Sequence, residues 1–162
     1  MQPQDKPAID TDVRTELLTR ARAAAEHAYV PYSHFPVGAA ALAADGSIHT
    51  GCNIENASYG LTICAERTAV SSAISAGHRQ IVAVAVSAKN VPRTTPCGAC
   101  RQFLNEFRPG TSGMIIVLDD RDSGELVLLN ELLPQAFGPQ NLHAAELSGQ
   151  VSSMPPRDDH GG

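Results

Sequence analysis

Apolar residues recur with two different periods along the chain, and these periods divide it into helices and strands. Over residues 11–28 they return every three or four positions, with charged side chains between them, which predicts an amphipathic helix capped by Asp10 or Thr11. Residues 64–76 have the same period and are followed by Gly77, so a second helix is expected there. A third, shorter helix is expected over residues 98–107, because Pro109 ends it.

The strand signals lie between these helices. Residues 37–42 and 48–52 flank Asp45-Gly46, a sequence typical of a hairpin turn. Residues 81–86 are continuously apolar, as in a strand covered on both faces, and buried strands are also expected over 114–118 and 126–129. Strand, helix and strand over residues 81–118 predict a right-handed parallel crossover. The expected fold class is therefore α/β, a three-layer α/β/α domain with a mixed five-stranded sheet.

The chain is long enough for one hydrophobic core. Its 162 residues fit a single domain, which we expect over residues 1–147 with residues 1–10 as an N-terminal extension. Residues 148–162 contain Pro-Pro, Asp-Asp and Gly-Gly pairs with few apolar side chains, which predicts a flexible C-terminal tail.

Charge and hydropathy exclude several classes of partner. Twelve basic against seventeen acidic residues give a net charge of −5, which disfavours nucleic acid as a ligand. Apolar runs stay shorter than the roughly 20 residues that cross a bilayer, and the first residues lack the order of a secretory signal. We therefore expect a cytoplasmic protein with no membrane partner.

The four cysteines add candidate chemistry. Cys97 and Cys100 form a C-x-x-C at the expected start of one helix, and Cys64 opens another. Helix N-termini stabilise thiolates, and zinc held by three protein ligands keeps a fourth position for water. Glu66 is close enough in sequence to carry a proton for that water. A redox pair, a structural zinc site and a closed four-cysteine site that includes Cys52 remain open, although Cys52 is better interpreted as a small buried hydrophobe.

The residues around these cysteines resemble a known family. Cys64-Ala65-Glu66 followed by Pro96-Cys97-Gly98-Ala99-Cys100 is similar to the zinc deaminase signature, with cysteine where its general form has histidine. The three-cysteine version resembles the small homotetrameric cytidine deaminases of the cytidine and deoxycytidylate deaminase superfamily. Residues 32–40, 51–60 and 132–137 also look like blocks of that family, so the resemblance covers residues 11–143.

The resemblance implies a reaction and a set of site residues. A zinc-bound hydroxide would attack C4 of cytidine or 2′-deoxycytidine, with Glu66 as proton shuttle, giving uridine or 2′-deoxyuridine and ammonia in pyrimidine salvage. One Zn²⁺ per subunit would be held by Cys64, Cys97 and Cys100, with Arg67 bonded to the sulfurs to withdraw charge. The implied substrate contacts are Phe35, Asn53, Glu55, Ala57, Tyr59, Ala65 and Phe137.

The resemblance also implies a homotetramer with shared active sites. Phe137 would stack over a base held by another subunit, and Ala57 and Tyr59 would reach the ribose of a neighbouring site. Two other functions stay open at this point. One is a deaminase of a cytosine-nucleoside antibiotic such as blasticidin S, and the other is a non-enzymatic zinc-stabilised module, for which Glu66 would be unnecessary.

Overall fold

Five strands form one mixed sheet in the computed structural model, which describes residues 8–110 and 113–142. The order across the sheet is β2-β1-β3-β4-β5, which confirms the predicted fold class. The strands are β1 Val37–Ala43, β2 Ile48–Cys52, β3 Ile81–Ala88, β4 Ile115–Leu118 and β5 Glu125–Leu128. The helices are α1 Thr11–Ala25, α2 Ala65–Ser75, α3 Gly98–Asn105 and α4 Leu129–Leu132.

One strand pair is parallel and the rest are antiparallel. The hairpin β1–β2 forms as predicted, and β1 pairs antiparallel with β3 on its other side. The strands β3 and β4 are parallel and are joined through α3, as the sequence predicts. Because α2 connects β2 to β3 and α3 connects β3 to β4, both helices begin at the loops that carry the cysteines.

The helices cover both faces of the sheet. The side chains of α1 pack on one face against alternate residues of β1 and β3, in a cluster that includes Leu17, Leu18 and Ala21. The buried residues of α2, such as Ala69 and Val70, pack on the other face, where Leu104 of α3 joins the same cluster. This arrangement gives the three layers.

Two glycines let the helices approach the sheet closely. A Cβ at Gly38 of β1 would lie 2.1 Å from the carbonyl oxygen of Ala21, and one at Gly51 of β2 would lie 2.4 Å from the backbone nitrogen of Ala69. Because Gly38 faces α1 and Gly51 faces α2, each helix has its own contact of this kind.

A buried carboxylate joins α1 to the end of β4. Asp119 accepts hydrogen bonds from Nε and Nη2 of Arg22 at 2.9 and 2.7 Å, from Oγ of Ser87 at 2.7 Å and from the backbone N–H of Arg121 at 2.9 Å. The Arg22 hydrogen bonds are the main reason why the pKa of Asp119 lies well below its usual value.

The first helix begins as predicted and ends earlier. Asp10 is its N-cap, and its carboxylate accepts hydrogen bonds from the backbone of Asp12 and Val13. The helix ends at Ala25 rather than at residue 28, because the chain leaves it to pair with a distant loop. There the N–H of Tyr29 donates to the carbonyl of Asn53.

Other boundaries also differ from the prediction. The third helix ends at residue 105 rather than 107, β4 begins at residue 115 rather than 114, and β5 covers 125–128 rather than 126–129. The short helix α4 and a single 3₁₀ turn over Tyr59–Leu61 have no counterpart in the prediction, because each has only three or four residues.

The ends of the chain lie partly outside the described residues. The expected tail over 148–162 and residues 1–7 of the expected N-terminal extension fall there, so both remain predictions. Within residues 8–110 and 113–142, every helix is too short or too polar to cross a membrane.

Candidate active site

Three thiols lie together at the beginnings of two helices. Cys64 is the N-cap of α2, Cys97 is the N-cap of α3, and Cys100 is in the first turn of α3. The Sγ atoms of Cys64 and Cys97 are 3.9 Å apart, and all three sulfurs lie within 4.8 Å of one another. Unpaired N–H groups at a helix start favour an anion, and two such helix starts converge on this cluster.

The three sulfurs fit one zinc ion. Tetrahedral zinc with Zn–S bonds of about 2.3 Å places its sulfur ligands about 3.8 Å apart, close to the observed separation. The fourth cysteine is elsewhere: Cys52 ends β2, and its thiol donates to the carbonyl of His27 at 3.4 Å. Cys52 is also only partly buried, so the interpretation as a buried hydrophobe is wrong. The geometry therefore offers a three-thiolate site and no closed four-cysteine site.

The electrostatics of the thiols are uneven. A hydrogen bond from the Cys100 thiol lowers the pKa of Cys64 to about 5, and the guanidinium of Arg67 contributes to this shift. The pKa of Cys100 is raised, first by that same hydrogen bond and then by burial. Burial alone would lower the pKa of Arg67, but its interactions with Cys64 and Cys100 raise it. Arg67 also donates from Nη2 to the carbonyl of Thr62 at 2.9 Å, which holds it at the start of α2.

Glu66 is a buried carboxyl group beside the thiols. It is in the first turn of α2, and only 4% of its surface is exposed. Burial raises its pKa, and the negative charge of Cys64 raises it further. A raised pKa brings a carboxyl group closer to the range in which it can both accept and release a proton, which is the requirement for a general acid and base.

A cavity of about 200 Å³ is lined by this carboxyl group and by the thiols of Cys64 and Cys97. Its walls come from both helix starts, from β1 and β3 and from the loops before Val37 and Cys97. The lining residues are Phe35, Val37, Asn53, Cys64, Ala65, Glu66, Val86, Thr94, Thr95 and Cys97. Of the substrate contacts that the resemblance implies, the structure brings Phe35, Asn53 and Ala65 to this cavity.

The side chain of Asn53 is held in one orientation. Its Oδ1 accepts from the N–H of Val37 at 2.9 Å, and its Nδ2 donates to the carbonyl of Phe35 at 2.9 Å. An amide has two donor hydrogens and two acceptor lone pairs, so one of each remains for a ligand. The same two bonds fix the backbone on both sides of Pro36, and therefore the position of Phe35.

Glu55 and Tyr59 line a second, larger cavity of about 390 Å³. Oε2 of Glu55 accepts from the N–H groups of Tyr32 at 2.9 Å and Ser33 at 3.2 Å. The pKa of Glu55 is lowered, chiefly by a hydrogen bond from the Ser33 side chain. Glu55 is therefore a fixed carboxylate, and its other oxygen is oriented by these bonds.

Ala57 and Phe137 do not line either cavity of this single chain. Both are exposed, Phe137 to 60%. The carbonyl of Phe137 accepts hydrogen bonds from Gln102 at 3.0 Å and Asn105 at 3.1 Å, so its backbone is attached to α3. Thr94 and Thr95 also form part of the cavity wall and were not expected from the sequence. Their place directly before Pro96-Cys97 was the available signal.

Comparison with known proteins gives a consistent result. The family model described as the cytidine and deoxycytidylate deaminase zinc-binding region matches residues 11–116. The chain is 48% identical to a cytidine deaminase of Sporosarcina psychrophila over 132 residues, which are 81% of this chain and 96% of that protein. It is 47% identical to a cytidine deaminase of Mycobacterium tuberculosis over 136 residues, which are 84% of this chain and 96% of that protein.

Solved structures show the same similarity. The crystal structure of cytidine deaminase from Burkholderia pseudomallei superposes with a TM-score of 0.70 at 45% identity, covering 76% of this chain and 98% of that one. The crystal structure of the Mycobacterium tuberculosis enzyme gives a TM-score of 0.68 at 44% identity, covering 81% of this chain and 99% of that one.

Proposed function

The chain belongs to the cytidine and deoxycytidylate deaminase family, and on that premise we propose that it hydrolyses cytidine and 2′-deoxycytidine to uridine and 2′-deoxyuridine, with release of ammonia. One observation carries the proposal: three thiols lie together with the spacing of zinc ligands, and two of them, Cys64 and Cys97, line the same cavity of about 200 Å³ as the buried Glu66. A structural zinc site would need no buried carboxyl group beside an open ligand position.

Cys64, Cys97 and Cys100 would hold one Zn²⁺ per subunit. When bound, the metal supplies Lewis acidity that makes a water molecule a nucleophile at neutral pH. Three thiolates are a strongly electron-donating set, and they carry one negative charge more than the metal balances. Arg67 offsets that charge, because its guanidinium interacts with Cys64 and Cys100.

Glu66 would move the protons of the reaction. It takes a proton from the attacking water, passes one to N3 of the pyrimidine and assists the departure of the C4 amino group as ammonia. Its burial supports this role, since a carboxyl group shielded from solvent exchanges its proton with the substrate rather than with bulk water. The overall balance is one water consumed and one ammonia released.

The other residues would bind and orient the nucleoside. Phe35 would pack on the face of the pyrimidine, and the backbone N–H of Ala65 would bind O2, which is supported by the unpaired N–H groups that a helix start leaves. Asn53 and Glu55 would bind the ribose hydroxyls, one with its remaining amide hydrogen and the other with its second carboxylate oxygen.

The active unit would be a homotetramer with shared sites. Several large apolar or aromatic side chains between residues 29 and 63 are exposed, which is unfavourable for an isolated chain, and two of them, Tyr32 and Tyr59, line the second cavity. The full set is Tyr29, Tyr32, Ile54, Tyr59, Leu61 and Ile63. Phe137 is also exposed, and we place it against the base bound by a neighbouring subunit, with Ala57 and Tyr59 at the ribose of another. The reaction is a pyrimidine-salvage step, and four free thiols suit the reducing cytoplasm.

Ammonia release tests the reaction. The purified protein is incubated separately with cytidine, 2′-deoxycytidine and blasticidin S, and the first two are expected to release ammonia. Glu66→Gln is the matched variant, since it keeps the shape of the side chain and removes the proton carrier. We expect it to retain about one zinc per chain and to lose roughly 10²–10⁴-fold in turnover. Absence of ammonia from both nucleosides would refute the proposal, and release from blasticidin S alone would favour the antibiotic deaminase.

Sedimentation beside activity tests the assembly. Phe137→Ala should raise KM because it removes one face of the base-binding site, while the protein remains a tetramer. A fully active monomer would refute the shared site without affecting the assignment of the zinc ligands.

A further inference from the structure

One arginine of α3 bonds to two segments that flank the site. Nε of Arg101 donates to the carbonyl of Pro96 at 2.7 Å, and its Nη2 donates to Oγ1 of Thr95 at 3.2 Å. Its Nη1 donates in another direction, to the carbonyl of Leu132 at 2.9 Å. A single planar guanidinium therefore joins the residues directly before Cys97 to the end of α4.

The two segments have different places in the site. Thr95 and Cys97 line the cavity beside Glu66. Leu132 ends α4 and lies five residues before Phe137, which the proposed function places over the base of a neighbouring subunit. The distance between the segment at Thr95 and Pro96 and the segment from Leu132 to Phe137 therefore determines two positions at once. It determines where the cavity wall lies in one subunit, and where the Phe137 ring lies against the neighbouring subunit.

Two further side chains of α3 bond to the same C-terminal segment. Gln102 and Asn105 both donate to the carbonyl of Phe137, and Asn105 is only 5% exposed. These bonds hold the segment at one point and the Arg101 bond to Leu132 holds it at another. Two attachment points fix a segment's direction, whereas one leaves it free to pivot.

We propose that Arg101 is a positioning residue for the deaminase site, which fixes the cavity wall at Thr95 and Pro96 relative to the segment that carries Phe137. This inference rests on the proposed function, because that function gives Phe137 its role. Arginine is required at this position because the three acceptor oxygens, on Thr95, Pro96 and Leu132, lie in different directions from the side chain. The guanidinium presents its donors in a rigid planar fork that reaches three separate oxygens, whereas an ammonium group is a single point and cannot reach all three.

The test compares Arg101→Gln and Arg101→Lys with a matched control. Arg79→Gln is the control, since the Arg79 guanidinium also donates to two backbone carbonyls, those of Ile74 and His78. We expect Arg101→Gln to lower kcat/KM by roughly 10- to 100-fold through misplacement of binding groups, with zinc content unchanged. Arg101→Lys should recover part of the loss, and Arg79→Gln should match the wild type. Unchanged kinetics in Arg101→Gln, or zinc loss in proportion to activity, would overturn the proposal.

A double-mutant cycle separates positioning from general stability. If Arg101 acts through Phe137, then Phe137→Ala should raise KM much less in the Arg101→Gln background than in the wild type. Additive effects would show that the two residues act independently and would contradict the inference.

A reporter that needs no substrate separates this inference from the proposed function. The chain contains no tryptophan, so Phe137→Trp gives a single fluorophore on the segment. Its fluorescence anisotropy should fall when Arg101→Gln is added and stay unchanged when Arg79→Gln is added. A fall in anisotropy, together with no cytidine deamination by the wild-type protein, would retain the role of Arg101 in holding the segment and reject the proposed function. Equal anisotropy in both variants would reject the positioning role.

Discussion

Replacing Gly38 with alanine tests how the first helix is seated on the sheet. The new Cβ would lie 2.1 Å from the carbonyl oxygen of Ala21 and 2.4 Å from the backbone nitrogen of Ala25, whereas ordinary contact begins near 3.4 Å. Both atoms belong to the backbone of α1, so no side chain can rotate out of the way. The helix must therefore retreat from β1 by roughly 1 Å, in an interior that packs as densely as an organic crystal.

The cost follows from two opposing contributions. Overpacking in a dense core destabilises by about 1–3 kcal/mol, and the upper part of that range applies because backbone meets backbone. Removal of a glycine from the unfolded chain contributes about 0.4–1 kcal/mol in the opposite direction. The net loss of unfolding free energy is about 2 kcal/mol, which corresponds to a Tm roughly 4–8 °C lower for a chain of this size.

Thermal unfolding followed by circular dichroism measures this loss at matched protein concentration. Gly60→Ala is the control, because its added Cβ meets no atom within 4 Å in the described part of the chain. We expect its Tm to stay close to that of the wild type. A Gly38→Ala protein that melts at or above the wild-type temperature would refute the close approach of α1 to β1.

Three further predictions concern charge and metal. Because the Arg22 pair keeps the pKa of Asp119 low in the folded protein, its stabilisation is complete above the unfolded pKa near 3.9 and is lost as pH falls below it. The Tm difference between wild type and Asp119→Asn should therefore stay steady from pH 6 to about pH 4 and shrink as the pH falls further, and a difference that stays constant below about pH 4 would contradict this. Cys52→Ala should keep about one zinc per chain by elemental analysis while Cys64→Ala loses most of it, and equal loss would revive a four-cysteine site. Arg67→Gln should lower kcat more than zinc content, whereas unchanged kinetics would leave it without an electrostatic role.

The parts of the fold that follow from local pattern were predictable. The five strands, the three main helices and the hairpin at Asp45-Gly46 all form as the sequence predicts, because each is specified by its own periodicity and turn residues. The end of α1 was not predictable in this way. The apolar period continues to residue 28, but Tyr29 pairs with the loop at Asn53, and such a distant partner leaves no local signal.

The candidate site shows the same division. Cys64, Cys97 and Cys100 come together as their places at two helix starts suggest, and Glu66 is buried beside them. The internal partners of Asn53 were not foreseeable, since its amide bonds to backbone groups near residue 36 that only the β1–β2 hairpin brings close. The burial of Cys52 was predicted wrongly because Cys52 ends β2, and the exposure of a residue at a strand end depends on tertiary contacts that leave no local signal.

The separation of the zinc ligands between two helices links folding to metal supply. Cys64 and Cys97 are 33 residues apart, with β3 between them in the chain, so only the folded structure brings the three thiols together and the unfolded chain retains at most the Cys97 and Cys100 pair as a weak site. A ligand that binds mainly the native state adds to its stability by mass action, and above the dissociation constant each tenfold rise in free zinc contributes about 1.4 kcal/mol. Proteolysis of the transiently unfolded chain would then increase as free zinc falls, so the cellular abundance of this protein should depend on zinc even when no nucleoside is being turned over.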